Sequence, residues 1–221
     1  MSRFVLLPGA GGAAWYWSRV TPLLDAAGHE FAAVDLPGDD ESAGLRDYAA
    51  LAIEAADGSD DVVLVAQSMG GFTAPLVCAQ TAVRQLVFVN AMIPLPGETA
   101  GDWWANTGAV DARVEAAQAG GYSSEFDEAL YFLHDVDPAV AAEGARHQRP
   151  ESDAAFAQPC AFTTWPQVRT RVLAGADDRF FPPGFQRRVA LDRLGIDADV
   201  LPGGHLIALA NPRAVADYLL S

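Results

Sequence analysis

Six short and nearly continuous apolar runs, separated by helical or turn patterns, constrain the fold of this chain more than any other feature. A strand buried on both faces has such a run, whereas a strand with one solvated face alternates apolar and polar residues. Runs of this type between helical patterns predict an α/β fold, a mostly parallel sheet that helices cover on both faces. The predicted strands are residues 3–7, 31–34, 62–66, 86–89, 171–174 and 198–201, and the predicted helices are residues 15–27, 45–56, 69–81, 183–194 and 206–220.

The alternation of strands and helices stops between residues 94 and 165, where a helical pattern rich in aromatic side chains replaces it. We therefore expect residues 1–93 and 166–221 to form one core. Residues 94–165 are expected to be a helical cap inserted into that core, not an independent domain. A chain of 221 residues, 51% of them hydrophobic, is long enough to bury a large core within a single domain.

The charge balance excludes several classes of partner and mechanism. With 29 acidic and 14 basic residues, the chain has a formal net charge of −15, which disfavours nucleic acid and anionic membrane surfaces. The basic residues are all arginine, as is typical of a GC-rich bacterial genome, so mechanisms that need a lysine amine are excluded. The uncharged residues 62–83 contain glutamine, glycine and proline, and we interpret them as a buried strand and helix.

Cysteine and histidine usage predicts no dedicated zinc site, and the serine chemistry inferred below requires no metal or organic cofactor. The chain has two cysteines and four histidines, without the spacing of a zinc motif or of a disulfide framework. The first residues lack the pattern of a signal peptide. We therefore expect a protein of the reducing cytoplasm.

A nucleophile motif follows the third predicted strand. Ser68 lies in the segment QSMGG, residues 67–71, where that strand gives way to the helix predicted over residues 69–81. A nucleophilic serine at such a turn needs small residues two before and two after it, because the two backbones approach closely. Ala66 and Gly70 occupy those positions, so the motif is A-x-S-x-G where the more common form is G-x-S-x-G.

The last two predicted strands supply candidates for an acid and a base. Asp177 and Asp178 follow the fifth strand, and His205 follows the sixth. The carboxyl ends of parallel strands meet at one edge of a sheet, which is where such folds place their sites. The order Ser, Asp, His along the chain is that of the α/β-hydrolase triad, so we expect these side chains to act together.

The first glycine-rich turn allows an alternative interpretation. Residues 9–14 match G-x-G-x-x-A between a strand and a helical pattern, and Asp35 closes the second strand, as in a dinucleotide-binding fold. The helix would then begin with Trp15 and two further aromatic residues, which are bulky beside a pyrophosphate. A NAD(P)-binding oxidoreductase is therefore the remote alternative, with Ser68 as a helix cap.

The chain resembles the α/β-hydrolase superfamily over nearly its whole length and is most similar to the hydroxynitrile lyase and plant methylesterase group. Proteins of this group follow their first strand with H-G-A-x-H-G-x-W-x-W. Pro8 and Gly12 replace the two histidines of that motif, and the residues that match it are Gly9, Ala10, Trp15 and Trp17.

The resemblance also implies roles for individual residues. The family pattern G-x-x-D-x-x-x-P is met by Gly175, Asp178 and Pro182, which selects the second of the two adjacent aspartates. By similarity, the backbone N–H groups of Ala10 and Met69 form the oxyanion hole.

Together these features predict a serine esterase that acts on small to medium apolar carboxylic esters. Ser68, His205 and Asp178 are the expected catalytic residues. A small-molecule ester is the expected partner, and a homodimer is possible. The pocket is expected to draw on the first turn, the cap and the last helix, through Gly9, Gly11, Trp103, Trp104, Phe132 and Leu206.

Two alternatives use the same triad: a C–C lyase similar to the hydroxynitrile lyases, and a ligand-binding protein with low turnover. In the hydroxynitrile lyases a threonine stands where Gly9 stands, and a lysine follows the catalytic histidine where this chain has Leu206. A lysine would stabilise departing cyanide, and this chain has no lysine, so hydrolysis is the predicted reaction. Arg179 is the cation nearest to Asp178 in the sequence.

Overall fold

The computed structural model describes residues 1–221 and contains one sheet of six strands. The strands are β1 (Arg3–Leu7), β2 (Glu30–Ala33), β3 (Val62–Gln67), β4 (Gln85–Val89), β5 (Arg169–Gly175) and β6 (Asp199–Leu201). Every neighbouring pair is parallel, and the order across the sheet is β2-β1-β3-β4-β5-β6. The predicted parallel α/β sheet is therefore confirmed, and all its strands end at the same edge.

Eleven α-helices and two 3₁₀ turns connect and cover the strands. The 3₁₀ turns are Ala14–Trp17 and Ser68–Phe72. None of the helices is long and apolar enough to cross a membrane. The helices are α1 (Thr21–Ala26), α2 (Leu45–Ala56), α3 (Ala74–Cys78), α4 (Ala100–Thr107), α5 (Ala109–Gly120), α6 (Glu128–Tyr131), α7 (Pro138–Gly144), α8 (Asp153–Ala157), α9 (Pro183–Leu194), α10 (Ile207–Ala210) and α11 (Pro212–Leu219).

The two faces of the sheet have separate apolar layers. All side chains of β3 are buried, and they alternate between the layers as the period of a strand requires. Val62 and Leu64 join the layer that contains α2, α3 and α9, whereas Val63 and Val65 join the layer that contains α1, α10 and α11. Both faces of β3 are therefore dry, which explains its continuous apolar sequence.

Three predicted helices are shorter in the structure, and a proline accounts for each difference. Residues 15–27, 69–81 and 206–220 each contain a break, after which a helix resumes with proline in its first turn. Those prolines are Pro22, Pro75 and Pro212. Proline lacks an N–H donor and clashes with the preceding turn, so a helix begins at this residue more readily than it continues through it.

Five helices, α4 to α8, lie between β4 and β5, and no strand interrupts them. A buried ion pair ties the start of this helical segment to the core: Arg193 of α9 donates to Glu98, with Nη2 2.9 Å from Oε1. Burial alone would raise the pKa of Glu98, but hydrogen bonds from Arg193 and Asn106 lower it below its ordinary value overall. The carboxylate therefore stays charged and depends on its partners.

Replacing Arg193 by alanine should lower the free energy of unfolding by about 3–5 kcal/mol, because Glu98 would remain buried and charged without its partner. Arg187→Ala is the matched control, since Arg187 lies on the same helix and its ion pair with Asp197 is 52% and 65% exposed. The control should change stability little. Urea unfolding followed by circular dichroism measures both, and equal losses in the two variants would contradict the role given to Arg193.

Candidate active site

The turn after β3 holds Ser68 in an unusual backbone conformation. Ser68 has a φ of +49°, a left-handed value that strains any residue with a side chain. The chain can turn this sharply because the second and third residues after Ser68 are glycines. A Cβ on Gly70 would lie 2.5 Å from the carbonyl oxygen of Pro8, and one on Gly71 would overlap the carbonyl of Met92. The Ser68 hydroxyl is thus fixed at the carboxyl end of β3.

Three polar side chains from three different strand ends meet at this edge. Ser68 Oγ lies 3.1 Å from His205 Nε2, and His205 Nδ1 lies 2.9 Å from Asp178 Oδ2. The exposed fractions are 9% for Ser68, 2% for His205 and 3% for Asp178. An imidazole with its proton on Nδ1 donates to the carboxylate and leaves Nε2 free to accept the serine proton. The distances fit a relay of two hydrogen bonds.

The two adjacent aspartates have different surroundings. Asp178 is buried, and its Oδ1 accepts the backbone N–H groups of Phe180 at 2.9 Å and Phe181 at 2.8 Å. Its Oδ2, which faces His205, also accepts a hydrogen bond from Gln186 Nε2 at 3.1 Å. Asp177 is exposed and accepts only the N–H of Gly203, at 3.1 Å. The side chain brought to the histidine is therefore that of Asp178.

Asn90 is a central residue of the site that the sequence analysis missed. It follows β4, is fully buried and has a φ of +47°. Its Nδ2 donates to the carbonyl oxygens of Gly204 at 2.8 Å and His205 at 3.0 Å, and its Oδ1 accepts the N–H of Gly175 at 2.6 Å. Asn90 thus joins the loops that carry the histidine and the aspartate. A lone polar residue directly after an apolar strand is the signal that points to it.

Aromatic rings surround the histidine. The rings of Phe132, Phe180 and Phe181 lie 5.0 to 5.1 Å from that of His205, and Phe132 is stacked on it. They exclude water from the hydrogen bond between His205 and Asp178, which strengthens it.

The two predicted pocket tryptophans do not line the cavity at Ser68. Trp103 is fully buried, and its Nε1 donates to a backbone carbonyl 3.1 Å away, that of Ile93. The Trp103 and Trp104 rings both pack against Phe181, at 5.2 and 5.5 Å. This part of the prediction is wrong because an aromatic-rich pattern does not tell which side chains fill the core beneath a cap. The tryptophans support the phenylalanines from behind.

The first turn, residues 9–14, passes beside Ser68. A Cβ on Gly9 would lie 2.8 Å from that of Ser68, so only glycine leaves this approach open. Ala10 is exposed, and its N–H makes no hydrogen bond within the protein. Met69 directly follows the serine at the start of the 3₁₀ turn. These are the two residues whose amides the sequence resemblance names as the oxyanion hole.

A cavity of about 390 Å³ opens at Ser68 and His205. Its walls are the first turn, the helices α6 and α7 with the residues that follow each, and the residues in and just before α10. Four of the predicted pocket residues line it, namely Gly9, Gly11, Phe132 and Leu206. Its other apolar walls, which were not predicted from sequence, include Trp15, Tyr16, Leu133, Val140, Ala141 and Leu209.

The polar wall of the cavity is formed by residues between α7 and α8. Glu151 accepts the N–H of Gly11 at 2.6 Å and the hydroxyl of Tyr48 at 2.7 Å. Arg149 donates to the carbonyl of Gly11 at 3.1 Å and forms a two-point ion pair with Asp35, at 2.9 and 3.1 Å. Burial raises the pKa of Glu151, and the bonds from Tyr48 and Gly11 oppose this. These hydrogen bonds hold Arg149 and Glu151 against the first turn.

These contacts argue against the dinucleotide interpretation of the first turn. The Gly11 amide, which would face a pyrophosphate, already binds the Glu151 carboxylate. Asp35, the expected ribose ligand, is paired with Arg149 and accepts the N–H of Ala14 at 3.0 Å. No group of three or more histidine, cysteine, aspartate or glutamate side chains is arranged to hold a metal ion.

Asn90→Ala tests the central position of that residue. The change leaves the N–H of Gly175 and two carbonyl oxygens without their partner in a buried site, so it should cost about 2–3 kcal/mol of stability. Gln118→Ala on α5 is the control, since Gln118 is exposed and makes no side-chain hydrogen bond. Guanidinium unfolding measures both variants. Equal midpoints and slopes for the two would show that Asn90 does not hold the loops.

Comparison with known proteins places these features in a family. A family model described as the alpha/beta hydrolase family matches residues 4–218. Methylesterase 7 of Arabidopsis thaliana is 41% identical over 105 residues, which are 42% of this chain and 40% of that protein. Polyneuridine aldehyde esterase of Rauvolfia serpentina is 33% identical over 109 residues, which are 44% of this chain and 41% of that protein. The matched segments thus span about two fifths of the curated relatives.

Solved structures resemble the whole chain. A crystal structure of polyneuridine aldehyde esterase has a TM-score of 0.80 at 24% identity and covers 100% of this chain and 98% of its own. A pyrethroid hydrolase from Sphingobium faniae has a TM-score of 0.76 at 19% identity, with 99% and 96% covered. Likeness at this level of identity shows a shared fold. Because the family model spans nearly all residues, the chain belongs to the alpha/beta hydrolase family, and within it the chain is similar to the plant methylesterases.

Proposed function

We propose that this protein is a serine esterase that hydrolyses carboxylic esters through an acyl-enzyme. The chain of hydrogen bonds from Ser68 to His205 to Asp178, at 3.1 and 2.9 Å, is the observation that supports the proposal. Similarity to proteins named methylesterase and polyneuridine aldehyde esterase supports it as well.

The reaction begins when Ser68 Oγ attacks the ester carbonyl carbon while His205 Nε2 takes the serine proton. The Asp178 carboxylate keeps the other ring proton on Nδ1 and stabilises the imidazolium that forms. When the tetrahedral intermediate collapses, His205 returns the proton to the departing alcohol. Water then repeats these steps on the acyl-Ser68 bond and releases the carboxylic acid, and no cofactor is required.

The oxyanion of each tetrahedral intermediate is bound by the backbone N–H groups of Ala10 and Met69. Such donors are worth roughly 3–4 kcal/mol of transition-state stabilisation each. The free N–H of Ala10 supports this assignment, as does the position of Met69 directly after the nucleophile.

The substrate is a small to medium ester with an apolar group. The largely apolar walls of the cavity and its size, about 390 Å³, support this choice. Residues 94–165 act as the cap over a core of residues 1–93 and 166–221, and the cap is part of the same folding unit. The buried pair of Glu98 with Arg193 crosses the boundary between them and supports the single folding unit. A cytoplasmic location and a homodimer stay predictions of the sequence.

Hydrolysis is preferred over cyanohydrin cleavage because neither Leu206 nor Arg179 offers a free positive charge to a departing cyanide anion. Leu206, which follows His205, carries no charge. Arg179 is held elsewhere, since its Nη1 donates to the carbonyl of Leu130 at 3.1 Å and its guanidinium lies over the Tyr122 ring. The lack of space for a side chain at position 9 supports the same choice.

Asp178→Asn and Asp177→Asn form a matched pair that tests the acid. Asp178→Asn should lower kcat by about 10⁴, because an asparagine favours the wrong tautomer of His205. Asp177→Asn should retain nearly full activity, since its carboxylate contacts only the Gly203 backbone. Steady-state kinetics with an aryl ester measures both. A larger loss for Asp177→Asn would show that the triad uses the other aspartate.

One purified sample assayed on an aryl acetate and on mandelonitrile distinguishes hydrolase from lyase. We expect ester hydrolysis and negligible release of cyanide. Ser68→Ala serves as the blank and should fold normally while losing several orders of magnitude of activity. Labelling of Ser68 by a fluorophosphonate provides a second readout. Cyanide release that depends on Ser68 and exceeds ester turnover would refute the proposal.

A further inference from the structure

We propose that the cavity selects esters by charge: it accepts an uncharged or cationic group and rejects a carboxylate at the same position. This inference rests on the proposed esterase function and concerns the class of substrate that the same site takes. The charges on the cavity walls are its basis.

Arg149 and His147, the basic side chains of the cavity wall outside the triad, already have partners. Arg149 is the only arginine that lines it, and all three of its guanidinium nitrogens hydrogen-bond, one to the Gly11 carbonyl and two to Asp35. His147 is stacked on Trp15 at 5.1 Å, and its Nε2 lies 3.4 Å from a Glu143 oxygen. A substrate carboxylate would therefore have to displace a protein carboxylate to gain a partner.

Two acids also line the cavity, and neither forms a direct ion pair, although the nearby Arg149 favours the charged form of Glu151. Glu151 is half-buried, and its two oxygens face the Gly11 amide and the Tyr48 hydroxyl, which are both neutral donors. Glu128 is exposed and accepts a hydrogen bond from the Gln148 amide at 2.8 Å. The potential of the whole molecule has the same sign, since the formal net charge is −15.

An anionic substrate group would lose its hydration in this cavity and meet charges of its own sign. Both effects are unfavourable, and each grows as water is excluded. A cationic group loses hydration too, but it gains attraction from Glu151 and Glu128. An uncharged group meets neither effect and packs on the apolar walls. We therefore expect the anionic ester to react most slowly, and the cationic ester to show that the sign of the charge matters and not merely its presence.

Esters matched in spacer length test this order directly. In p-nitrophenyl esters, a three-carbon spacer separates the carbonyl from a tert-butyl, a trimethylammonium or a carboxylate group. Acetate esters with the same three groups on the alcohol side test the opposite orientation. Ser68→Ala provides the blank for spontaneous hydrolysis. In the series whose variable group enters the cavity, kcat/KM for the anionic ester should be at least about tenfold below the neutral one, and the cationic ester should not be below it.

Three charge-neutralising variants link the selection to the cavity. Asp35→Asn leaves the Arg149 charge unmatched, and Glu151→Gln removes an acid from the wall, so each should raise the anionic-to-neutral ratio of kcat/KM. Glu115→Gln on α5 makes the same change of net charge at an exposed position that does not line the cavity. This control should leave the ratio unchanged.

The outcomes distinguish the two levels of the proposal. If the enzyme hydrolyses no ester in either series, the esterase function itself fails. If it hydrolyses the neutral esters but loses less than tenfold on the anionic ones in both series, the charge selection is overturned. Equal losses on the cationic and anionic esters would also overturn it, because they would show a penalty for any charge. A shift as large in Glu115→Gln as in Glu151→Gln would assign the selection to net charge and refute the cavity as its source.

Discussion

The buried hydrogen-bond network of Asn90 and Asp178 is the constraint on which the site depends. These residues follow neighbouring strands, β4 and β5, and both accept hydrogen bonds from Gln186 of α9, at 3.3 and 3.1 Å. Asn90 fixes the backbone of His205, while Asp178 fixes its ring. The histidine is therefore held at both ends before any substrate binds, which is the preorganisation that a general base requires. The sheet brings these residues together because all of its parallel strands end at the same edge.

The parts of this architecture that sequence predicts are those with a strong local pattern. Buried parallel strands have continuous apolar runs, and a nucleophile turn needs small residues, so the α/β fold and the position of Ser68 follow from the chain itself. Asn90 and Gln186 do not follow, because single polar residues after a strand or within a helix have many ordinary uses. Only the folded chain shows that both are buried and bonded to the triad loops.

The side chains that form the walls of the cavity are harder to predict from sequence than Ser68 and His205, at which it opens. Trp103 and Trp104 are aromatic, as residues that line a pocket often are. They nevertheless pack behind the phenylalanines that contact His205. Apolar side chains serve equally well in a core and in a ligand site, so composition alone does not separate the two. Contacts that join segments far apart in the chain, such as Glu151 with Gly11, have no local pattern at all.

The contact between Glu151 and Gly11 links the proposed selection of substrates by charge to the proposed oxyanion hole. Glu151 lies in the wall that faces substrate, and it also holds the amide that follows Ala10 in the first turn. Gly11 has a φ of +82°, and a Cβ there would overlap the carbonyl of Arg149, so the cap end and the turn fit together only with glycine at this position. A change of the cap residues therefore alters the charge of the cavity and the position of the proposed oxyanion donor together. The triad has further anchors outside the cap, in Asn90 and Gln186.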